Sequence, residues 1–287
     1  MAKRVGIIGL GLIGGSLALA IKRARPGEFT TLGYTRTKAN AAKASSLGIV
    51  DEVTDSPESA AKADLVVLST PIMATRGILQ QIAGCLPSGC IVTDVASTKV
   101  QMMKWADEYL PRKVSFVGGH PMAGKEVTGV GAAEAGLFEG CTYCLVPGER
   151  TTSKSLDWMT DLVRDIGAKP LVISAPEHDD FVAGVSHLPF FVSAALVSAT
   201  AKSSAWSQMS QLAAGGYRDT TRLASQSPEM GRDMCFTNQD NILRWIDRFV
   251  QELSRFRETI ASDPKAVEGM LAAARQARER WLEAHEW

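Results

Sequence analysis

Three glycines near the N-terminus have the spacing of a phosphate-binding turn. The segment Gly9-Leu10-Gly11-Leu12-Ile13-Gly14 follows an apolar run typical of a buried parallel strand and precedes an alanine-rich run that predicts a helix from Ile13 to Arg25. In this context the first glycine permits a tight turn, the second lets a pyrophosphate approach the backbone, and the third lets helix and strand pack closely. The segment therefore predicts a dinucleotide site, with a glycine-rich turn that binds nothing as the alternative. The predicted contact residues are Gly9, Gly11, Leu12, Ile13 and Gly14.

Polar side chains also stand where three later strands are predicted to end. The strand from Asp64 ends in Ser69-Thr70-Pro71, the strand from Ile91 runs to Ser97, and the strand from Val114 contains His120. In a parallel sheet the carboxyl ends of the strands share one edge, so Ser69, Thr70 and Pro71 are expected beside the cofactor. Ser97 and His120 are expected on the side where the nicotinamide would project. The alternative for a lone histidine in a loop is packing or surface exposure.

The cofactor type is predicted from the end of the second strand, Phe29 to Tyr34. Dinucleotides with a free 2′-hydroxyl usually meet Asp or Glu there, whereas this chain has Thr35, Arg36, Thr37 and Lys38. Hydroxyls and positive charge would bind a 2′-phosphate through charge-assisted hydrogen bonds. We therefore expect NADP to be preferred over NAD. The alternative is that Arg36 and Lys38 form the solvated first turn of a helix.

The order of the predicted elements indicates two domains. Strands and helices alternate up to about Ala175, and helix then follows helix to the end of the chain. This pattern predicts a Rossmann-type doubly wound parallel sheet in residues 1–174 and an all-helical domain in residues 175–287. The later elements are predicted as helix Lys38–Leu47, strand Thr142–Val146, helix Ser155–Ile166, strand Lys169–Ile173, and helices Pro176–Ala201, Trp206–Ala214, Asp240–Ile260 and Lys265–Glu283.

Composition excludes several classes of partner. The formal net charge of the 287-residue chain is zero, which argues against nucleic acid or an anionic membrane surface as the main partner. The five cysteines are odd in number and show no disulfide framework, so a reducing cytoplasm is expected. Cys141 and Cys144 have C-x-x-C spacing without a second pair or a nearby histidine. They predict structural packing and no metal site.

The longest apolar segment, Gly184 to Ala201, contains His187, Pro189 and three serines. It predicts a buried core helix and not a membrane span. Its apolar surface exceeds what a small bundle needs, so we expect a homodimer formed through the helical domain.

Three further segments, in this order behind the glycine turn, carry a family resemblance. They are Gly118-Gly119-His120-Pro121-Met122-Ala123-Gly124, Ser186-His187-Leu188-Pro189 and Gly216-Tyr217-Arg218-Asp219-Thr220-Thr221-Arg222. The set resembles the prephenate/arogenate dehydrogenase family of tyrosine biosynthesis, whose members have a Rossmann domain followed by a helical dimerisation domain. The resemblance implies NAD(P)-dependent oxidative decarboxylation of prephenate or arogenate. Hydride leaves ring C4 for the nicotinamide, and carbon dioxide departs as the ring becomes aromatic.

The resemblance also implies roles for four residues. His120 matches the catalytic histidine, whose neutral imidazole accepts a hydrogen bond from the C4 hydroxyl. Ser97 matches the serine that hydrogen-bonds this histidine and the substrate hydroxyl, and Arg218 matches the arginine that binds the ring carboxylate. His187 is expected to form a second wall of the pocket. The alternatives are a surface ion pair with Asp219 for Arg218 and a hydrogen-bonded core histidine for His187.

Two departures from the family pattern concern the substrate tail. Phe190 stands where many members have the second histidine of H-L-P-H, and Gly231 stands where many have the tryptophan of P-x-M-W. The choice between prephenate and arogenate, and inhibition by tyrosine, therefore stay open. No chorismate mutase segment is found before the glycine turn, so a monofunctional enzyme is expected.

Three rival functions stay open. One is a two-domain Rossmann oxidoreductase of the β-hydroxyacid dehydrogenase type, for which no segment with a catalytic lysine is found. A methyltransferase would normally have an acid at the end of strand two. A dinucleotide-sensing protein without turnover is the third.

Overall fold

The computed structural model describes residues 3–125 and 127–284, and its largest element is one eight-stranded sheet. The strands are β1 (Lys3–Ile8), β2 (Phe29–Tyr34), β3 (Glu52–Val53), β4 (Leu65–Leu68), β5 (Ile91–Asp94), β6 (Ser115–Pro121), β7 (Thr142–Pro147) and β8 (Lys169–Val172). The α-helices are α1 (Leu12–Ala24), α2 (Lys38–Ser46), α3 (Pro57–Ala60), α4 (Ile72–Ile82), α5 (Val100–Tyr109), α6 (Ser153–Asp165), α7 (Ala175–Val182), α8 (Leu188–Ala201), α9 (Trp206–Met209), α10 (Gly215–Thr221), α11 (Pro228–Ser262) and α12 (Val267–Glu283).

The sheet confirms the predicted Rossmann-type architecture. Its strand order is β3-β2-β1-β4-β5-β6-β7-β8, and the first six strands run parallel. The central strand β4 is buried on both faces, which explains its uninterrupted apolar sequence. Separate apolar clusters cover the two faces, one containing Val5, Ile7 and Val67 and the other containing Ile8 and Val66.

The last two strands depart from the all-parallel prediction. Strand β7 pairs antiparallel with β6, and β8 pairs parallel with β7. The connection from β6 to β7 contains only a short 3-10 turn, Val130–Ala132, among its described residues. A parallel pairing needs a crossover that is usually an α-helix. The connection, residues 122–141, has no α-helix among its described residues, which favours the antiparallel arrangement.

The predicted helix Pro176–Ala201 is divided into three parts. Helix α7 begins with a capping box in which the Ser174 and Glu177 side chains each accept the other residue's backbone amide. A π-helical turn, Ala183–His187, then joins α7 to α8. Turns of this kind are rare and frequently lie at functional sites.

Helix α8 is not the buried core helix that the sequence predicted. Only Ser193 is buried in it within the single chain, because too few elements of the chain cover its apolar sides. The stretch Ala175–Ala201 is long and apolar enough to span a membrane by length and composition alone. An 18-residue window within it has a mean hydropathy of 1.7, and 22% of that window is buried. The apolar sides of α8 are therefore poorly covered by the described residues.

Contacts divide the chain into two compact units, residues 1–239 and 240–287. The first contains the sheet, the helices up to α10 and the start of α11. The second contains the rest of α11 and all of α12. Helical geometry is interrupted within α11 at Asn238, whose φ is −144° and ψ is 33°.

Candidate active site

The glycine turn after β1 fits a dinucleotide pyrophosphate. Gly9 has a φ of +109°, and a Cβ on Gly9 or Gly14 would collide with backbone oxygen, of Ser69 and of Gly9 respectively. A Cβ on Gly11 would meet nothing within 4 Å, so open space lies in front of this residue. Helix α1 begins at Leu12 with no side-chain cap and no acidic residue in its first turn. Its first amides are therefore available to an anion.

The neighbouring strand ends complete the predicted nucleotide edge. The Gly9 amide donates to the Tyr34 carbonyl at the end of β2 over 2.8 Å, which brings the turn beside Thr35 and Arg36. Arg36 is exposed. The hydroxyl of Thr37, a predicted cofactor contact, caps α2 by accepting a hydrogen bond from the Asn40 amide.

The end of β4 is ordered by its own hydroxyl groups. Thr70 Oγ1 lies 2.9 Å from Thr75 Oγ1, and Thr75 also donates to the Pro71 carbonyl. Ser69 packs against the glycine turn, since its Oγ lies 3.0 Å from the position of a Cβ on Gly14. The predicted cofactor residues on β1 and β4 therefore lie together.

A buried ion pair fixes the strand end that carries His120. Lys99 Nζ donates to Asp94 Oδ2 at the end of β5 and to the Gly119 carbonyl on β6 over 2.6 Å. Asp94 Oδ1 accepts the Gly119 amide over 3.1 Å, and both side chains are at most 1% exposed. Burial lowers the pKa of Lys99, and the Asp94 carboxylate opposes that shift. The residue before His120 is thus held through both its amide and its carbonyl.

His120 is the first member of a buried hydrogen-bonded chain. Its Nδ1 lies 2.9 Å from Nε2 of His178 on α7, and Nδ1 of His178 lies 2.8 Å from Asp179 Oδ1. Asp179 also accepts the Lys99 amide over 2.6 Å and the Val100 amide over 2.8 Å, so it caps α5. One carboxylate therefore joins the start of α5 to the histidine pair.

His187 stands beside this chain, on the π-helical turn. Its side chain is fully buried, and its Nδ1 lies 3.4 Å from Asn238 Nδ2, which donates to the Asp179 carbonyl over 2.7 Å. Among the described residues, His187 Nε2 has no hydrogen-bond partner. A buried nitrogen of this kind is suited to a hydrogen bond with a bound molecule.

Burial keeps the imidazoles of His120 and His187 neutral. It lowers the pKa of His120 well below the usual value, and the neighbouring His178, Lys99 and His187 add to the effect. Burial also lowers the pKa of His187 to about 4. At neutral pH His120 is therefore uncharged and able to accept a proton.

Ser97 and Arg218 lie outside this hydrogen-bonded chain. Ser97 is half-buried in the loop after β5, and within residues 3–125 and 127–284 no hydrogen bond joins it to His120. The Arg218 side chain, on α10, is 81% exposed and pairs with Asp219 over 3.0 Å. A surface ion pair with Asp219 is the alternative to substrate binding that the sequence analysis left open for Arg218.

Sequence reasoning missed His178, Asp179 and the Lys99–Asp94 pair. A signal for the first two was present: His178 and Val182 are four residues apart, as are Asp179 and Ala183, and all four are buried. An ionisable pair at core-facing positions of an amphipathic helix has to be hydrogen-bonded to something. The sequence therefore indicated a buried polar partner for α7 without identifying it.

The two departures from the family pattern contact each other. A Cβ on Gly231 would lie 2.7 Å from Cε1 of the Phe190 ring, so the phenyl group occupies the space beside this glycine. Phe190 also packs edge-on against Phe191, with ring centroids 5.2 Å apart. Phe190 and Phe191 together form an apolar surface on α8, which begins directly after His187.

The described residues contain no group of three or more His, Cys, Asp or Glu side chains that could hold a metal ion. Burial raises the pKa of the Cys144 thiol and raises that of Cys141 to about 11. Both thiols are therefore protonated at neutral pH, in agreement with structural packing.

Comparison with known proteins places the whole chain in one family. A family model described as the nucleotide-binding domain of prephenate dehydrogenase matches residues 17–172, and one described as its dimerization domain matches residues 174–274. The prephenate dehydrogenase of Bacillus subtilis is 38% identical over 266 residues, which cover 92% of the chain and 71% of that protein. The cyclohexadienyl dehydrogenase of Zymomonas mobilis is 32% identical over 263 residues, covering 91% of the chain and 89% of that protein.

Two solved structures are similar over nearly their full length. Prephenate dehydrogenase from Aquifex aeolicus in complex with hydroxyphenyl propionate and NAD+ has a TM-score of 0.89 at 31% identity, covering 99% of each chain. Synechocystis arogenate dehydrogenase has a TM-score of 0.83 at 31% identity, covering 97% of this chain and 100% of that one. The chain therefore belongs to the prephenate/arogenate dehydrogenase family and is an oxidoreductase.

Proposed function

We propose that the protein oxidatively decarboxylates prephenate to 4-hydroxyphenylpyruvate, or arogenate to tyrosine, with NADP preferred over NAD. The observation that carries this proposal is a buried, neutral His120 near the end of β6, in the same sheet whose β1 and β4 ends are proposed to hold the dinucleotide. Relatives named prephenate dehydrogenase and a solved arogenate dehydrogenase support both substrates equally.

In this proposal the chain holds the substrate and accepts one proton. When bound, the nicotinamide supplies the acceptor for the hydride that leaves ring C4. His120 accepts the proton of the C4 hydroxyl as the hydride leaves, and returns it to the same oxygen when the loss of carbon dioxide makes the ring a phenol. Ser97 orients that hydroxyl from the neighbouring loop. Loss of the ring carboxylate as carbon dioxide makes the ring aromatic, which drives the reaction, so the protein mainly has to fix geometry.

Arg218 is proposed to bind the ring carboxylate. Its exposed pair with Asp219 contributes little to stability, because water screens both charges. The guanidinium can therefore exchange Asp219 for a substrate carboxylate, for which its planar fork is well suited. His187 is proposed to line the pocket, with its free Nε2 available to the substrate.

The NADP preference rests on the end of β2. Arg36 is exposed there next to Thr35, and no acidic residue lies between Tyr34 and Lys38 to repel a 2′-phosphate. Arg36→Asp is expected to move the ratio of kcat/KM values toward NAD by at least tenfold, because it replaces attraction by repulsion. Arg112→Asp, an exposed charge reversal before β6 at the opposite sheet edge, is the matched control. A wild-type enzyme that already prefers NAD would contradict this part of the proposal.

The domain boundary at residues 174/175, a homodimer formed through the helical domain and a cytoplasmic location complete the proposal. The dimer is supported by the match of residues 174–274 to a dimerization domain and by the poorly covered α8. The location is supported by relatives that are biosynthetic dehydrogenases and by five free cysteines.

One assay tests the function. Purified protein is incubated with prephenate or arogenate and with NAD or NADP, and reduced nicotinamide is followed by its absorbance. His120→Asn should lower kcat by about 10²- to 10⁴-fold, the usual contribution of a general base, with cofactor affinity unchanged. Absence of reduction in all four combinations, or a variant as active as wild type, would refute the proposal.

A further inference from the structure

The positions of the hydrogens in the hydrogen-bonded series His120–His178–Asp179 follow from two backbone amides that can only donate. Backbone amides only donate, so Asp179 accepts from Lys99 N at Oδ1 and from Val100 N at Oδ2. Both carboxylate oxygens are thus acceptors, and Nδ1 of His178, 2.8 Å from Oδ1, has to carry the hydrogen. In the neutral imidazole of His178, Nε2 is then a lone pair facing His120.

The same reasoning extends to His120. Its Nδ1 lies 2.9 Å from that lone pair, so Nδ1 is the donor and carries the hydrogen of the neutral ring. The other nitrogen, Nε2, is left as the proton acceptor. A cationic His178 would reverse this assignment, but it would bury a second positive charge next to His120, on which the charge of the buried Lys99 already acts.

We propose that His178 is a positioning residue, which together with Asp179 fixes the tautomer of His120 so that Nε2 is the base for the substrate hydroxyl. The proposal rests on the proposed function, because it assigns the orientation of the base in that reaction. His178 is 1% exposed and lies on α7. It is not part of the three segments that carry the family resemblance.

The hydrogen bonds from His120 through His178 to Asp179 also stabilise the protonated form of His120 while the proton is transferred. A protonated His120 keeps its Nδ1 hydrogen bond to His178, and that bond becomes charge-assisted. The negative charge of Asp179 lies one ring further along and partly offsets the cation. Among the described residues, the titratable groups near His120 are His178 on α7, Lys99 before α5, His187 on the π-helical turn and Cys144, its partner in the β6–β7 pairing.

Two amide substitutions that differ in length by one methylene group separate positioning from packing. The amide of His178→Gln reaches the place of the imidazole Nε2 and can accept from His120, whereas the amide of His178→Asn reaches only the place of Nδ1, beside Asp179. If His178 positions His120, kcat falls by about 10²-fold or more in His178→Asn and recovers at least tenfold in His178→Gln, with KM values nearly constant. If His178 only supports Asp179 and α5, Asn is the better replacement. That order of activities would overturn the proposal.

A spectroscopic measurement reads the tautomer directly. The chain has only four histidines, so full-length protein with ¹⁵N-labelled imidazoles gives few signals, and His120→Asn identifies those of His120. We expect Nδ1 of His120 to be protonated and Nε2 to be unprotonated at neutral pH, and this preference to be lost in His178→Asn. A hydrogen on Nε2 of His120 in the wild type would overturn the proposal.

The two proposals fail separately. The tautomer is measured without substrate, so it remains valid if none of the four substrate and cofactor combinations is turned over. Conversely, an active enzyme whose His120 carries its hydrogen on Nε2 keeps the proposed function and loses this inference. Far-ultraviolet circular dichroism and cofactor affinity show whether each variant is folded.

Discussion

At the scale of single residues, the buried histidines predict the direction of the pH dependence of stability. The pKa of His187 is lowered to about 4 in the folded protein from an unfolded value of 6.5. Its contribution to stability is therefore complete above the unfolded value and is lost as pH falls from about 6.5 to about 4. Between about pH 7 and about pH 5 this costs on the order of 2 kcal/mol.

The measurement is urea unfolding at both pH values and one protein concentration. His187→Asn should reduce the loss of unfolding free energy on acidification without abolishing it, since His120 contributes with the same sign. A variant with the wild-type pH dependence would show that His187 is not protonated on unfolding in this range.

The contact between Phe190 and Gly231 predicts a coupled pair. Gly231→Ala places a methyl group 2.7 Å from the phenyl ring, and overpacking of this kind costs about 1–3 kcal/mol. Combined with Phe190→Leu, the cost should largely disappear, which a double-mutant cycle of unfolding free energies measures. Gly216→Ala, in α10 with nothing within 4 Å, is the control for the general gain of alanine in a helix. Additive free energies would contradict the contact.

At the scale of elements, sequence pattern succeeded where local chemistry decides the structure. Strand β2 has the predicted bounds Phe29–Tyr34, because apolar and β-branched residues lie between breaking signals. The π-helical turn at Ala183–His187 was not predictable, since its residues continue an ordinary helical pattern. Helix α10 was missed because its first residues, Gly215 and Gly216, are poor helix formers.

The candidate site shows the same division. Gly9, Ser69 and His120 were located because a parallel sheet places its strand ends at one edge. His178 and Asp179 enter the site from a helix more than fifty residues further along, and no spacing in the sequence records that approach. The buried Lys99–Asp94 pair was missed for a different reason. Asp94 ends β5 and Lys99 directly precedes α5, but their common partner Gly119 lies on the next strand, β6.

The glycine turn predicts a separation of stability from cofactor binding. Gly11 has ordinary extended dihedrals and open space around it, so Gly11→Ala should change the free energy of unfolding by no more than about 0.5 kcal/mol. The new methyl group would occupy the space of the pyrophosphate, so dinucleotide affinity should fall at least tenfold in a binding titration. Gly77→Ala in α4, also with nothing within 4 Å, is the matched control with unchanged affinity. Unchanged affinity in Gly11→Ala would remove the turn from the cofactor site.

At the scale of the whole molecule, exposed apolar side chains are concentrated in the helical segment. Phe181 and Val185 lie between the buried His178 and His187 in the sequence and are 55% and 74% exposed. In the second unit, Leu243, Val250, Leu253 and Ile260 are all more than half exposed. Their spacing of seven, three and seven residues places them on one face of α11, as in the seam of a coiled coil.

This face predicts a dimer that specific charges dissociate. The wild type should sediment at twice the chain mass of 30.8 kDa, because an apolar face of this length is stabilised by a second copy. Val250→Lys combined with Leu253→Lys places two like charges in the seam of each chain, so the mass should fall to that of one chain at micromolar concentration. Gln251→Lys combined with Ser262→Lys adds the same charge outside the seam of α11 and should leave the dimer intact. A wild type that sediments as a single chain, or a seam variant that remains dimeric, would place the covering surface of this helix elsewhere.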